Sequence, residues 1–383
     1  MAKKNTDPGL EYLNKINFKR LRNGKAFFHK LESMYGTKEA TRITDKMGKL
    51  GGKFQELYEL KNSSVELATV FSEAFDGEIH RSVCNYIYEN KSYFGSTILE
   101  IGCDIGYVTG FLALLFPESK ITAVDVNQKA IRIAEARMKE LGVSNVEFIC
   151  TDATTLHGNY DTVLSVRVMQ ENWDWNKKPF EGDDLHKQCY EYKSLVSGYA
   201  SAIQSLCNKE GYCLSIERTS VTPLFCGWLL ALNACEAVLI DDTYRELQCQ
   251  EVDIISTFEA GVFAFNRDKK PEQELFNLCR NRYSTDILSR TYMSEWEAMV
   301  AFEANAGQRI LDVVLIDPDN VKVARYALYT AKNDNNQMLY LELANGSISL
   351  LHQTIEEKDM VIDEIWSVIR QHQIYGYSYL EEQ

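Results

Sequence analysis

The sequence predicts an α/β fold: a mostly parallel sheet with helices on both faces, followed by a separate α+β domain. Three observations carry this expectation. Short β-rich runs recur between residues 96 and 217, with stretches of helical periodicity among them. One strand-to-helix turn, within LEIGCDIGYVTGF (99–111), is rich in glycine. In the last third of the chain, turn chemistry clusters as DPDN, NDNN and NG between residues 317 and 346.

From the amino terminus, residues 1–80 form a first region and read as helical. They are rich in Lys, Glu and Leu, with glycines at 24, 36, 48 and 51–52 as breaks. SSVELATVFSEAF (63–75) has a serine to cap a helix and Glu66 in its first turn. Residues 1–53 carry 13 Lys+Arg against 5 Asp+Glu, a balance of +8, which leaves 28 against 50, or −22, for the rest. Within that basic stretch, NKINFKRLRNGKAFFHK (14–30) interleaves Phe18, Phe27 and Phe28 with cations. That pattern suits RNA or another anionic partner, and it also suits a solvated helix whose rings pack on the main body. Charge runs are usually exposed faces, which favours the second reading. The net charge of −14 likewise does not favour nucleic acid as a bulk partner.

Residues 81–268 form the α/β domain. Its β-rich runs are STILEIG (96–102), KITAVDV (120–126), NVEFICT (145–151), YDTVLSV (160–166) and GYCLSIE (211–217). NQKAIRIAEARMKELG (127–142) reads as a helix: Ala130, Ile133, Ala134, Met138 and Leu141 recur at 3–4 spacing, Asn127 can cap its start, and Gly142 can close its end. RELQCQEVDIISTFEAGVFAFNR (245–267) then supplies two extended runs in succession, an antiparallel hairpin finishing the sheet. Residues 269–383 read as an α+β accessory domain. QRILDVVLI (308–316), KVARYALYTAK (322–332), QMLYLELA (337–344) and SISLLHQ (347–353) form an antiparallel meander, with Asn345-Gly346 as a hairpin turn, and helix IEEKDMVIDEIWSVIRQH (355–372) packs across it.

The ten cysteines are scattered without a C-x-x-C pair, which argues against a zinc ribbon or redox motif. No metal site is expected, and no secretory leader is read at the amino terminus. Reduced thiols in a cytoplasmic protein are the plain reading. PLFCGWLLALNACEAVLI (223–240) approaches the length of a membrane span, but Asn233 and Glu236 interrupt it, so a mostly buried helix fits better.

The turn at 102–106 decides the ligand class. Gly102, Gly106 and Gly110 are present, while Asp104 stands where many nucleotide-binding loops have a further glycine. In a parallel sheet, ligands bind beyond the carboxyl ends of the strands. A dinucleotide would bring its diphosphate against the Asp104 carboxylate, and two desolvated anions repel. A ligand with an ammonium and a sulfonium has no such conflict. The stretch resembles motif I of the class I S-adenosylmethionine-dependent methyltransferases, E-x-G-x-(G)-x-G, at Glu100, Gly102 and Gly106. Asp125 in TAVDVN, Asp152 in FICTDAT and the run YDTVLSVRVMQEN (160–172) agree with later motifs of that family in order and spacing.

The resemblance covers about residues 80–268. It implies a Rossmann-like, mostly parallel seven-stranded sheet and S-adenosyl-L-methionine as cofactor. It also implies Asp125 on the ribose hydroxyls, Asp152 near the adenine amino group, and a transferable methyl bordering the end of the fourth strand. The candidate cofactor contacts are Glu100, Gly102, Asp104, Gly106, Asp125, Val126, Asp152, Ala153 and Arg167. Arg167 suits the cofactor carboxylate or a substrate anion, and a purely structural role is open as well. SVRV at 165–168 departs from the (N/D)-P-P-(Y/F) motif of relatives that methylate nucleobase or amide nitrogen. Glu171 stands where small-molecule relatives carry a histidine, and it is the catalytic candidate. It can serve as a base or hold a substrate ammonium, and it can equally be a solvated first-turn acid. His157 reads as a loop residue. Trp173, Trp175 and Phe180 in NWDWNKKPFEGDD (172–184) suit a substrate lid or packing against the amino-terminal helices.

The expected function is methyl transfer to a small-molecule acceptor, with no membrane partner and with oligomers allowed. The alternatives are an RNA or protein methyltransferase docking through the basic segment, and a non-catalytic cofactor-binding scaffold.

Overall fold

The computed structural model describes residues 7–49, 54–172, 185–218, 222–251, 254–282, 291–292, 302, 306–332, 336–343, 348–354, 358–374 and 376–381. Two compact units emerge, residues 1–220 with 227–270, and residues 221–226 with 271–383.

The first unit opens with six helices: α1 (Pro8–Lys15), α2 (Gly24–Tyr35), α3 (Thr37–Lys49), α4 (Phe54–Lys61), α5 (Val65–Phe75) and α6 (Gly77–Glu89). Local signals set their ends. The side chains of Asp7, Asn23 and Ser64 accept from Leu10, Ala26 and Leu67 backbone amides and cap α1, α2 and α5. Helices α2 to α5 share a core of Phe27, Leu31, Ala40, Ile43, Leu60, Leu67, Val70, Phe71 and Ala74.

The rings of the basic segment are used in packing. Phe27 meets Phe71 and Phe75 edge-on, both at 5.3 Å between ring centres. Phe18 lies 5.0 Å from Tyr107. The cations of Lys15, Lys19, Arg22, Lys25 and Lys30 belong to exposed residues. The rings pack as the second reading of that stretch expects, while the exposed cations fit either reading.

The sheet follows: β1 (Thr97–Ile101), α7 (Tyr107–Leu115), β2 (Lys120–Asp125), α8 (Gln128–Leu141), β3 (Val146–Cys150), β4 (Tyr160–Val166), α9 (Leu185–Leu206), β5 (Cys207–Arg218), α10 (Thr222–Ala234), β6 (Val238–Leu239), β7 (Arg245–Glu251) and β8 (Ile254–Ala264). Its order is β3-β2-β1-β4-β5-β8, with β6 and β7 both pairing to β8. The first five strands are parallel, and β8 runs antiparallel to β5. Eight strands therefore fill seven sheet positions. β6 pairs with residues 263–264 and β7 with 254–260, so a turn at 241–243 splits one edge in two.

Alternation along the strands sorts the helices between the two faces. Leu164, Leu214 and Ile216 join a core with residues of α1, α6 and α7. Ser165 and Ser215 face the other way, onto Tyr199 of α9 and Trp228 of α10. The apolar stretch at 223–240 resolves into α10 and β6. Among the described residues no helix is long and apolar enough to cross a membrane.

The second unit contains α11 (Glu272–Arg282), β9 (Thr291–Tyr292), β10 (Ala306–Ile316), β11 (Lys322–Ala331), β12 (Asn336–Leu343), β13 (Ile348–Thr354), α12 (Lys358–Gln373) and β14 (Ser378–Glu381). Its strands form an antiparallel sheet in the order β14-β10-β11-β12-β13-β9. Val361, Ile365 and Ile369 of α12 pack on Leu311, Val313, Leu328 and Leu339 of one face. The Asn345-Gly346 turn lies outside the described residues.

Candidate functional site

The carboxyl ends of β3, β2, β1 and β4 lie side by side and bring most of the candidate residues together. β1 ends at Ile101, and the chain turns through Gly102 (φ 73°), Asp104 (φ 45°) and Gly106 (φ 78°) into α7. All three residues are left-handed. Gly102 has no room for a side chain, because a Cβ there would stand 2.5 Å from Val168 Cγ2. At Gly106 it would stand 2.8 Å from the Ala134 Cβ. Asp104 takes the remaining left-handed position, which aspartate tolerates better than most residues. The missing glycine is thus replaced by one of its few stand-ins.

Asp104 is fixed from both ends. Its amide donates to Asp125 Oδ2 at 2.8 Å, and its carboxylate receives the Lys61 ammonium and, at 3.5 Å, the Asn62 amide. The sequence counts Asp104 among the cofactor contacts. In the fold its first partner is a lysine at the end of α4. Lys61 also lies 3.6 Å from Asp76 Oδ2, and Asp76 Oδ1 accepts from Arg167 Nη1 at 2.6 Å. An ion chain Arg167–Asp76–Lys61–Asp104 therefore links the end of β4, the start of α6, the end of α4 and the glycine turn. Lys61 and Asp76 are each 7% exposed. Burial alone would raise the Asp76 pKa, but the two cations hold it well below the usual carboxylate range. The neighbouring His80 is pushed down to about 4 by burial and the same cations, and its uncharged ring meets Phe18 edge-on and Tyr107 at a tilt.

Asp125 ends β2. Its Oδ1 accepts from the Asn127 amide at 2.8 Å, its Oδ2 from Asp104, and burial raises its pKa. A carboxylate offers about four acceptor sites, so two remain for other donors. Beside it Val126 is 68% exposed, an uncovered apolar side chain. Asp152 follows β3 on the surface, where its Oδ1 accepts from the Thr154 amide and hydroxyl, and Ala153 is buried next to it. His157 is an exposed loop residue.

Glu100 lies beneath the turn, 3% exposed, accepting from the Thr109 hydroxyl at 2.6 Å. Burial pushes its pKa up to about 8, beyond what the Thr109 bond offsets. Between the ordinary 4.5 and about 8 the folded state holds a proton that the unfolded state has lost. Stability therefore falls as pH rises through that window, by up to about 1.4 kcal/mol per pH unit. Glu100→Gln removes the titration and keeps a partner for Thr109. We expect thermal unfolding between pH 5 and 8 to show a flatter fall in Tm for this variant than for the parent chain. Parallel curves would mean that Glu100 is ionised in the fold.

Beyond β4, Arg167 (φ 62°) donates its amide to the Ile216 carbonyl at 2.9 Å. The following turn is held from below by Glu217, which is buried and accepts from the Met169 amide at 3.1 Å and from the Ser165 hydroxyl. Glu171, in the short helical turn Met169–Asn172, accepts from the Tyr58 hydroxyl at 2.8 Å. Glu171 reaches solvent, yet the protein around its carboxylate raises its pKa, against the Tyr58 bond and the Arg167 charge. Tyr58 and Lys61 stand on α4 and Asp76 at the start of α6, so the amino-terminal helices supply three side chains that the motifs did not indicate. The proposed lid of Trp173, Trp175 and Phe180 lies outside the described residues. Among the described residues no group of His, Cys, Asp and Glu is placed to hold a metal ion.

The profile of a methyltransferase-domain family matches residues 98–180. The malonyl-[acyl-carrier protein] O-methyltransferase of Bacillus cereus is 45% identical over 75 residues, which is 19% of this chain and 27% of that protein. The ribosomal RNA small subunit methyltransferase G of Christiangramia forsetii is 30% identical over 142 residues, which is 36% of this chain and 67% of that protein. This chain thus spans about a quarter of the length of the first relative and two thirds of the second. A solved structure of the N-methyltransferase NodS from Bradyrhizobium japonicum WM9, in complex with S-adenosyl-l-homocysteine, aligns over 49% of this chain and 88% of that one. The identity is 18% and the TM-score 0.35.

Proposed function

Since the chain belongs to the class I S-adenosylmethionine-dependent methyltransferases, whose cofactor is S-adenosyl-L-methionine, we propose that it transfers the methyl group of that cofactor to a small-molecule acceptor. The observation that carries this is the alignment of Gly102–Gly106, Asp125 and Asp152 at the carboxyl ends of three adjacent parallel strands. The residues suit the group: the two acceptor sites left on Asp125 fit a pair of ribose hydroxyls, and exposed Val126 offers an apolar face to a flat base. Gly102, Asp104 and Gly106 hold the amino-acid end, Ala153 and Asp152 border the adenine, and Arg167, engaged by Asp76, takes the structural role. Glu100 supports the turn from below. When bound, the cofactor supplies an electrophilic methyl whose departure leaves a neutral thioether. The chain's part is to orient the acceptor, exclude water and take up a proton, which we assign to Glu171.

The test is calorimetric titration with S-adenosylmethionine, S-adenosylhomocysteine and NAD. Binding of the two sulfur ligands alone supports the reading, and binding of NAD alone defeats it. Cys150 gives an independent probe. It is the one exposed thiol among ten free cysteines, and it pairs in register with Asp125. S-adenosylhomocysteine at saturation should slow its alkylation by iodoacetamide about tenfold or more, as a site held mostly in its bound form is shielded in proportion to occupancy. An unchanged rate, followed by mass spectrometry, would place the cofactor elsewhere.

The free thiols accord with a cytoplasmic, reducing location. A second reading, an RNA acceptor, draws on the exposed cations of residues 15–30. Its mark would be a steep fall of acceptor affinity with salt. A scaffold that binds cofactor without turnover would show neither acceptor class.

A further inference from the structure

We propose that the acceptor is an amine, received as its ammonium by Glu171 with Tyr58 beside it. The proposal rests on the methyltransferase reading above and narrows its substrate class. Among the described residues, Lys61 and Arg167 beside this site are each committed to carboxylates. Lys61 lies against Asp104 and Asp76, and Arg167 against Asp76. Glu171 accepts from a neutral phenol, its side chain reaches solvent, and Asp125 and Asp104 are close enough for their charges to act on it. An anionic acceptor arriving there would face the Glu171 carboxylate and displace an ion pair, Lys61–Asp104 or Arg167–Asp76, to find a counter-ion. An ammonium instead completes a charge-assisted hydrogen bond with Glu171. Tyr58 uses only one of the acceptor sites on Glu171 Oε1, so both ligands fit one carboxylate.

The same contact supplies the proton transfer that N-methylation requires. An ammonium has no free electron pair and is inert until it loses a proton. One proton passes to the Glu171 carboxylate, and the freed lone pair forms the new N–C bond. The S–C bond breaks with its electrons left on sulfur. The product is a methylated ammonium, and the proton on Glu171 returns to solvent. A raised pKa suits Glu171 to this exchange, because a very weak base would not take the proton.

The test uses the full chain at pH 8, first titrated with S-adenosylhomocysteine and then, in its presence, with benzylamine, tryptamine, benzoate and phenol. Benzylamine and tryptamine should bind saturably, benzoate and phenol at least tenfold more weakly. In Glu171→Gln, amine affinity should fall tenfold or more while S-adenosylhomocysteine affinity stays within twofold. Thermal unfolding should match the parent, because Glu171 is exposed. With S-adenosylmethionine, the same amines should release S-adenosylhomocysteine. Preference for benzoate or phenol overturns the amine assignment, as does amine binding indifferent to Glu171→Gln, or no amine binding at all. Each of those outcomes leaves the cofactor reading standing. If S-adenosylhomocysteine itself does not bind, both fall together.

Discussion

Asp76→Ala is expected to lower stability by about 3–5 kcal/mol, the range for removing one partner of a buried ion pair. Asp76 accepts from Ser72 at 2.8 Å and from Arg167 at 2.6 Å, and it lies 3.6 Å from Lys61. Its loss leaves buried Lys61 with Asp104 as its remaining carboxylate and takes from Arg167 the carboxylate it donates to. Two like charges are then held near each other in a poorly solvated place. The depressed pKa of Asp76 gives the same interaction a pH signature. A carboxylate whose folded pKa lies below its ordinary 3.8 contributes its full stability above that value and loses it as pH falls further. Urea unfolding should show the midpoint shifted with an unchanged slope, since the surface exposed on unfolding is the same. Asp76→Asn, which keeps a partner for Ser72, should fall between the two. Because the ion chain ends at Asp104, both variants should also bind S-adenosylhomocysteine more weakly. A shift of the midpoint by less than about 1 kcal/mol would assign the network to the solvated surface, where ion pairs contribute little.

Asp125→Ala is expected to weaken S-adenosylhomocysteine binding by about 100-fold or more. Charge-assisted hydrogen bonds contribute about 1.5–3 kcal/mol each, and two to the ribose hydroxyls would be lost. The glycine turn would change as well, because the Asp104 amide donates to this carboxylate and the Asn127 amide to its other oxygen. Asp125→Asn separates these effects. It retains one acceptor and loses the charge, so an affinity between alanine and the parent is expected. Calorimetry reads the binding, and circular dichroism reports whether α7 keeps its start. Equal affinity in the parent and both variants would remove Asp125 from the cofactor site.

The parallel strands were legible because each is a short apolar run closed by turn residues at the expected register. Asn127 and Gly142 marked both ends of α8, where Asn127 accepts from the amides of Lys129 and Ala130. The edge was harder to read. PLFCGWLLALNACEAVLI gives no sign that its last residues leave a helix for a two-residue strand, because a buried helix and a buried strand have the same composition. α9 was not singled out, although Cys189, Val196, Tyr199, Ile203 and Leu206 are buried at helical spacing. Small and aromatic residues blur its stripe.

In the site, Asp125 and Asp152 stood out because they end strands. Tyr58, Lys61 and Asp76 did not. Their partners lie 43 to 113 positions away for Lys61–Asp104 and Tyr58–Glu171, a separation that leaves no local pattern. Lys61 sits near the end of a polar helix, with nothing in its neighbours to mark it as buried.

The ion chain also bears on how the protein is made. Phe27, Leu31, Phe71 and their neighbours all fall within residues 21–75, so that small core can close early during synthesis. Of the charges on these helices, Lys61 and Asp76 can meet then, while their other partners are still to be made. Lys61 waits for Asp104, and Asp76 for Arg167, about a hundred residues after Lys61. At about 5–20 residues per second, the nascent helices stand for about 5–20 s with those groups kept in water and the strands they cover not yet complete. Ribosome-bound chains halted before residue 167 should accordingly be cut by protease between α4 and α6 far more readily than chains halted after β5 has emerged.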